Sequence, residues 1–292
     1  MFRSRELQRG QVNKMRNAPP ALTLSPRRRS YRRSVAICLA LVVAACSAPQ
    51  NSLLPPPPPH PNGGVLWHIV HDLCVPDQQA NGRPAPCIEV SLAQGADRGY
   101  AVLKDKHGAE QYLVMPTLDI TGIEDPRVLA PNAPDYFTDA WRARTYVEAL
   151  IGKPVPRQNM AVSVNSAYGR SQDLLHLHVD CLTQRSVAAL AAEQPRVGRH
   201  WSHTPIILEG HAYYAIRLDG DAQAAGPFRV LADGLPGAAK DMAAWTLVLT
   251  GATFEHGAPG FILLAGRADP AHGDFASGEE LQDHDCAVAH GG

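Results

Sequence analysis

The sequence predicts an α+β fold, an antiparallel meander sheet with helices packed on one side. Three observations predict it. Short apolar runs come in pairs joined by short polar turns, and one long segment repeats its apolar residues at helical spacing. The order strand, strand, helix, strand, strand then recurs after about 100 residues. That recurrence points to a duplicated half-domain, with halves at 65–185 and 186–290. The alternative is a single sheet whose later strands extend the first.

Taken in order, residues 99–104 and 111–116 read as two strands, joined by a polar stretch whose Gly108 suits a hairpin-type turn. A helix follows. Tyr136, Ala140, Ala143, Val147 and Leu150 recur at steps of four and three and make one apolar stripe, with Phe137 and Trp141 beside it. Asp135 is placed to cap its start, and Gly152 with Pro154 to end it. Residues 161–165 and 175–181 then form two strands around a turn rich in Ser, Gly and Arg. Downstream, 204–208 and 213–218 are predicted strands, 236–244 a short helix with proline in its first turn, and 246–250 and 260–265 two more strands.

The 292 residues carry 27 basic and 28 acidic side chains, but the balance hides two unlike segments. Residues 1–49 hold ten Lys or Arg and a single acidic residue, Glu6, which leaves 17 basic against 27 acidic in the rest. A body near −10 without a basic run argues against nucleic acid as a partner, because phosphate backbones demand clustered positive charge.

The basic front end reads as a targeting leader over 1–46. Arg27, Arg28, Arg29, Arg32 and Arg33 precede an apolar run at 34–45, which is shorter than the roughly 20 residues that span a bilayer. Val43, Ala44, Ala45 and Cys46 resemble a bacterial lipobox, so Cys46 is expected to carry lipid; ordinary cleavage with soluble export is the alternative. The chain is therefore expected in the cell envelope, facing the periplasm and anchored to a membrane surface. Residues 47–64, with consecutive prolines from Pro55 to Pro59, read as an extended linker, and 65–292 as the folded domain.

Export gives the cysteines an oxidising compartment, and Cys74, Cys87, Cys181 and Cys286 remain as an even set. Four cysteines allow three pairings. Loop closure favours Cys74 with Cys87, which leaves Cys181 with Cys286.

One segment carries chemistry. From Asn165 through Ser166, Gly169, Arg170, Ser171 and Gln172 the chain turns, and it then alternates Leu175, His176, Leu177, His178, Val179, Asp180 and Cys181. In a strand, the leucines and valine share one face and the two imidazoles and Asp180 the other. Three readings fit that polar face. An imidazole can attack phosphorus and form a transient phospho-imidazole. His176, His178 and Asp180 can supply ligands to a borderline metal in a metal-dependent phosphohydrolase. The face can also be merely a solvated edge.

The segment resembles the histidine-triad superfamily, whose motif alternates histidine with apolar residues at a strand after an Asn and a Gly/Gln turn. Asn165, Gly169 and Gln172 stand in those places. Further blocks widen the resemblance: Trp67 and His68 through Cys74, residues 99–105 and 112–117, Trp141 to Arg144, and Glu280 to Cys286. Together they look like the bacterial CDP-diacylglycerol pyrophosphatase family over about 67–287. One departure stands out, because Leu174 occupies the place of the first triad histidine. His176 then matches the nucleophilic middle position and His178 the third.

That resemblance implies a histidine-triad-like fold and hydrolysis of the pyrophosphate of CDP-diacylglycerol to CMP and phosphatidate through a cytidylyl-histidine, in phospholipid metabolism. His176 and His178 are then catalytic. Lys104, Asn165, Ser166, Gly169, Arg170 and Gln172 are expected to bind phosphate, and no metal or other cofactor is called for. A catalytically impaired lipid- or nucleotide-binding lipoprotein is the competing expectation. His284 is expected to reach the site if Cys286 is bridged to Cys181.

Overall fold

The computed structural model describes residues 54–60, 63–220 and 226–290, all within one unit, Asn51–Gly292. The leader and Cys46 lie outside the described residues. In chain order the elements are α1 (Val65–His68), a π turn (Ile69–Cys74), α2 (Val75–Asn81), β1 (Glu89–Ser91), β2 (Tyr100–Lys104), β3 (Tyr112–Pro116), α3 (Tyr136–Ile151), β4 (Met160–Val164) and β5 (Leu177–Leu182). Then follow α4 (Gln184–Glu193), β6 (Ile206–Leu208), β7 (His211–Asp219), α5 (Pro227–Gly234), β8 (Trp245–Thr253), β9 (Pro259–Arg267), β10 (Gln282–Asp283) and α6 (Ala287–His290). No described helix is long and apolar enough to cross a membrane.

The strands form one open antiparallel sheet in the order β1-β2-β3-β5-β4-β8-β9-β7-β6, with β10 pairing the far end of β5. β5 is thus central, flanked by β3 and β4. Its alternation sets the two faces. Leu175, Leu177 and Val179 enter the main core with Val114, Val162 and Leu249, under α3 and α5. On the other face, Ala101, Leu113 and Met115 pack under Leu66 and Val70 of the N-terminal helical run, and Val248, Ile262 and Leu264 pack under Leu190 of α4. Helices therefore cover both sides, which corrects the expectation of helices on one side only.

Helix α3 forms as its spacing predicts. The Asp135 carboxylate accepts from Thr138 N at 3.1 Å, and Gly152 leaves the helix at φ 78°, a left-handed conformation that favours glycine. Its stripe is buried from Tyr136 to Val147, but Leu150 stays exposed. The helix predicted at 236–244 is replaced by α5 and two 3-10 turns, Ala238–Lys240 and Met242–Ala244. Gly237 at φ 83° breaks the run, while Pro227 starts α5 and Phe228, Leu231 and Ala232 give it a buried face.

Two disulfides are formed, Cys74–Cys87 and Cys181–Cys286. The first closes the N-terminal helical run onto the coil before β1. The second joins β5 to the C-terminal strip across 105 residues. Residues 54–60 do not stand free as a spacer. Tyr168 Oη donates to Pro55 O at 2.6 Å, and His60 Nδ1 lies 2.8 Å from Asp173 Oδ1, so this part of the proline-rich segment is docked on the 166–175 turn.

Candidate active site

Strand β5 presents His178 on the face opposite the main core, and His176 stands two residues before it on the same side. Both are buried, and their rings meet edge to face with centroids 4.9 Å apart. His176 Nδ1 lies 2.6 Å from the carbonyl oxygen of Leu174. A carbonyl only accepts, so Nδ1 carries the proton and Nε2 keeps its lone pair. Burial, with the neighbouring His178 adding to it, depresses the His176 pKa to about 3. The ring is therefore neutral throughout the physiological range, as a nucleophile requires.

The floor around His178 is brought in from far along the chain. Gln111, fully buried just before β3, sets its Nε2 2.7 Å from His178 Nδ1. Glu279 Oε1 is 3.3 Å from the same ring nitrogen, and Asn165 Nδ2 donates to Glu279 Oε2 at 3.1 Å. Burial pushes the Glu279 carboxyl up, but His178 and the hydrogen bonds from Gln111 and Asn165 outweigh it and hold it well below the usual carboxylate range.

The strip 277–286 delivers Glu279 because it lies flat on the sheet. A Cβ on Gly278 would come within 2.6 Å of Thr246 and Val248, so only glycine permits the approach. Gln282 then donates to the His178 and Ala161 carbonyl oxygens, and Cys286 is bonded to Cys181. His284 follows: its Nδ1 is 2.8 Å from Asp180 Oδ2 and its Nε2 3.5 Å from Glu279 Oε1. Burial raises the Asp180 pKa to about 6 against the opposing pull of His284, whose own pKa its Asp180 hydrogen bond raises.

The remaining predicted site residues divide. Asn165, Ser166 and Gly169 do reach this end of β4. Ser166 Oγ donates to Phe275 O, and it accepts from Tyr168 N and Gly169 N, so those backbone donors are already spent inside the turn. Gly169 sits in close contact with the 275–277 stretch, where a Cβ would meet Phe275 O at 3.0 Å. Arg170 is buried and pairs with Glu124 and Asp173 at 2.7 and 3.2 Å, so its charge is neutralised inside the protein. Gln172 Oε1 accepts from Leu66 N and ties down the N-terminal helical run. Lys104 is opposite Tyr112, on the α3 side of the sheet, and donates to Asp105 O and Gly108 O. Arg170 and Gln172 are thus engaged within the fold, and Lys104 lies on the face of the sheet away from the two histidines.

Among the described residues, the one cluster of metal-type donor atoms is Asp180 with Cys181 and Cys286, whose sulfurs are consumed in the disulfide. His176, His178 and Asp180 do not converge as a ligand set.

A family model described as CDP-diacylglycerol pyrophosphatase matches residues 61–290. The chain belongs to the CDP-diacylglycerol pyrophosphatase family. A protein of that description from Yersinia pestis is 40% identical over 228 residues, covering 78% of this chain and 85% of the relative. In this member of the family, the matched region contains both histidines, both disulfides and the 277–286 strip. Gln111 and Glu279, the two side chains that meet His178 Nδ1, are residues that sequence reading missed. The one signal near Glu279 was the 280–286 block beside it, and Gln111 read only as the start of a strand.

Proposed function

We propose that this chain hydrolyses the pyrophosphate of CDP-diacylglycerol to CMP and phosphatidate, a step of phospholipid metabolism, with His176 as nucleophile. Membership of the family supports the substrate. The observation that carries the mechanism is the His176 Nδ1 contact with Leu174 O, which leaves Nε2 unprotonated. Nε2 forms a bond to the cytidine-bearing phosphorus while the bond from that phosphorus to the bridging oxygen breaks, its electron pair leaving with phosphatidate. The retained Nδ1–H keeps the phosphorylated ring cationic, which makes it a good leaving group for the second step. Water then attacks phosphorus, the N–P bond returns its pair to the imidazole, and a proton passes to solvent. A phosphate leaving group is weakly basic, so Leu174 in place of a further imidazole does not stop the first step. In this reading His178 and Asn165 steady the phosphoryl oxygens.

The fold reading extends to a histidine-triad-like half that has been duplicated. Strand order supports it, since β2-β3-β5-β4 is mirrored by β6-β7-β9-β8, with α3 before β4 and α5 before β8. In the second half the face that carries histidine on β5 holds Ile262 and Leu264, and α4 covers it, so each chain has one working site.

The leader, Cys46 and the proline-rich segment support an exported protein anchored to the periplasmic side of a membrane, and two disulfides in the body fit an oxidising compartment. Incubating the protein with CDP-diacylglycerol in EDTA tests the reaction. CMP release that survives chelation is expected; release only after metal addition favours the metal-dependent hydrolase, and binding without CMP the inactive binder.

A further inference from the structure

The two imidazoles of the site are held by different kinds of partner. His176 Nδ1 faces a carbonyl oxygen and must donate. His178 Nδ1 faces the Gln111 carboxamide, which can present either its oxygen or its NH2 group. Glu279 decides which. Its Oε1 lies 3.0 Å from the same Gln111 atom, and a carboxylate oxygen only accepts, so that atom is the NH2 nitrogen. Gln111 Nε2 then donates one hydrogen to Glu279 and the other to His178 Nδ1. With Nδ1 accepting, the neutral His178 ring carries its proton on Nε2.

A second observation agrees. The other end of the same amide, Gln111 Oε1, is fully buried with no hydrogen-bond partner. Leaving a buried carbonyl unpaired is costly, and proteins keep such groups where another requirement dictates the orientation. Here the requirement is an NH2 between two acceptors. Around His178 the remaining polar groups are Glu279 Oε1, 3.3 Å from Nδ1 and farther from it than the Gln111 nitrogen at 2.7 Å, Asn165 Nδ2, 3.5 Å from Nε2 and too far to fix its proton, and the His176 ring. Nε2–H therefore has no acceptor fixed by the described residues.

We propose that Gln111 and Glu279 are positioning residues for the reaction: Glu279 orients the Gln111 carboxamide, which holds His178 as the Nε2–H tautomer so that it donates to a phosphoryl oxygen while His176 attacks. The proposal rests on the hydrolytic reading above, but its geometry concerns the free protein. Adjacent imidazoles in opposite tautomers make one ring a lone-pair donor and its neighbour a proton donor. With His178 in the other tautomer, two lone pairs would face the phosphate and repel it.

Nitrogen NMR of the full chain labelled with 15N-histidine reads the tautomers directly, with signals assigned through His176→Asn and His178→Asn. The expected result is Nδ1–H on His176 and Nε2–H on His178. In Gln111→Leu, His178 should change to Nδ1–H, bonded to Glu279, while His176 keeps its form; kcat should fall by roughly tenfold or more with little change in KM. Nδ1–H on His178 in the unaltered protein overturns the proposal, as does Gln111→Leu with unchanged kcat. The tautomers are read on the unaltered protein, and the variants serve only to assign its signals, so that reading decides the proposal. If the tautomers are as expected but no CMP is released, the hydrolytic reading fails and the positioning stands.

Discussion

His176 is neutral because the fold gives a charged imidazole no water, and that has a thermodynamic cost with a definite sign. Its pKa is depressed from 6.5 to about 3, so the unfolded chain binds a proton that the folded chain refuses. Stability from this group is whole above pH 6.5 and is lost as pH falls from there towards 3. By pH 5 the loss is at most about 2 kcal/mol. Urea midpoints measured from pH 7.5 to pH 5 should therefore fall more steeply for the unaltered protein than for His176→Gln; parallel curves would contradict the burial argument. His176→Ala should lower kcat by roughly a thousandfold or more, read as CMP release. At this scale the alternation of His176 and His178 was legible, because strand periodicity alone puts both on one face. Gln111 and Glu279 were not, since they meet His178 and each other across 67 to 168 residues and nothing local marks them.

Among elements, the C-terminal strip does most to complete the site. Cys181–Cys286 and the β5–β10 pairing hold Glu279, Gln282 and His284 against the histidine strand. Cys286→Ser should cost about 2–5 kcal/mol in denaturant unfolding and lower kcat by roughly 10- to 100-fold, because a small displacement of positioning groups is amplified in rate. Removing Cys74–Cys87 by Cys87→Ser should lower stability with a far smaller effect on kcat, since that bridge closes the N-terminal helical run and holds no residue of the site. Equal kinetic effects of the two variants would show that the strip is not what the disulfide secures. Strands and α3 were legible because their apolar spacing and caps are local. Helix α4 was missed although Thr183 caps it and accepts from Ser186 N, because its 10 residues make few turns over which an apolar period can be read. The segment at 236–244 misled for the opposite reason: its proline and alanines suit a helix, but Gly237 turns the chain left-handed before one forms.

For the whole molecule, the proposed duplication assigns the chemistry to the half that carries His176 and His178 and a supporting role to the other. His211, in the second half, is hydrogen-bonded to Glu280 and lies away from the paired imidazoles, so His211→Ala should leave kcat within about twofold of the unaltered protein. A larger loss would place the working face elsewhere. Cys46→Ser, expressed in cells and fractionated, should move the protein from membranes to the soluble envelope fraction; retention on membranes would exclude the lipid anchor. The docked proline segment was not foreseeable from composition, which predicts extension but not what the extended chain touches. The central claim is a bond from one imidazole to phosphorus, and peptide mass spectrometry after rapid mixing with CDP-diacylglycerol and a neutral quench tests it most directly. A cytidylyl group on the peptide holding His176, absent from His176→Ala, is the predicted result; the same group on His178, or undiminished CMP release from His176→Ala, would contradict it.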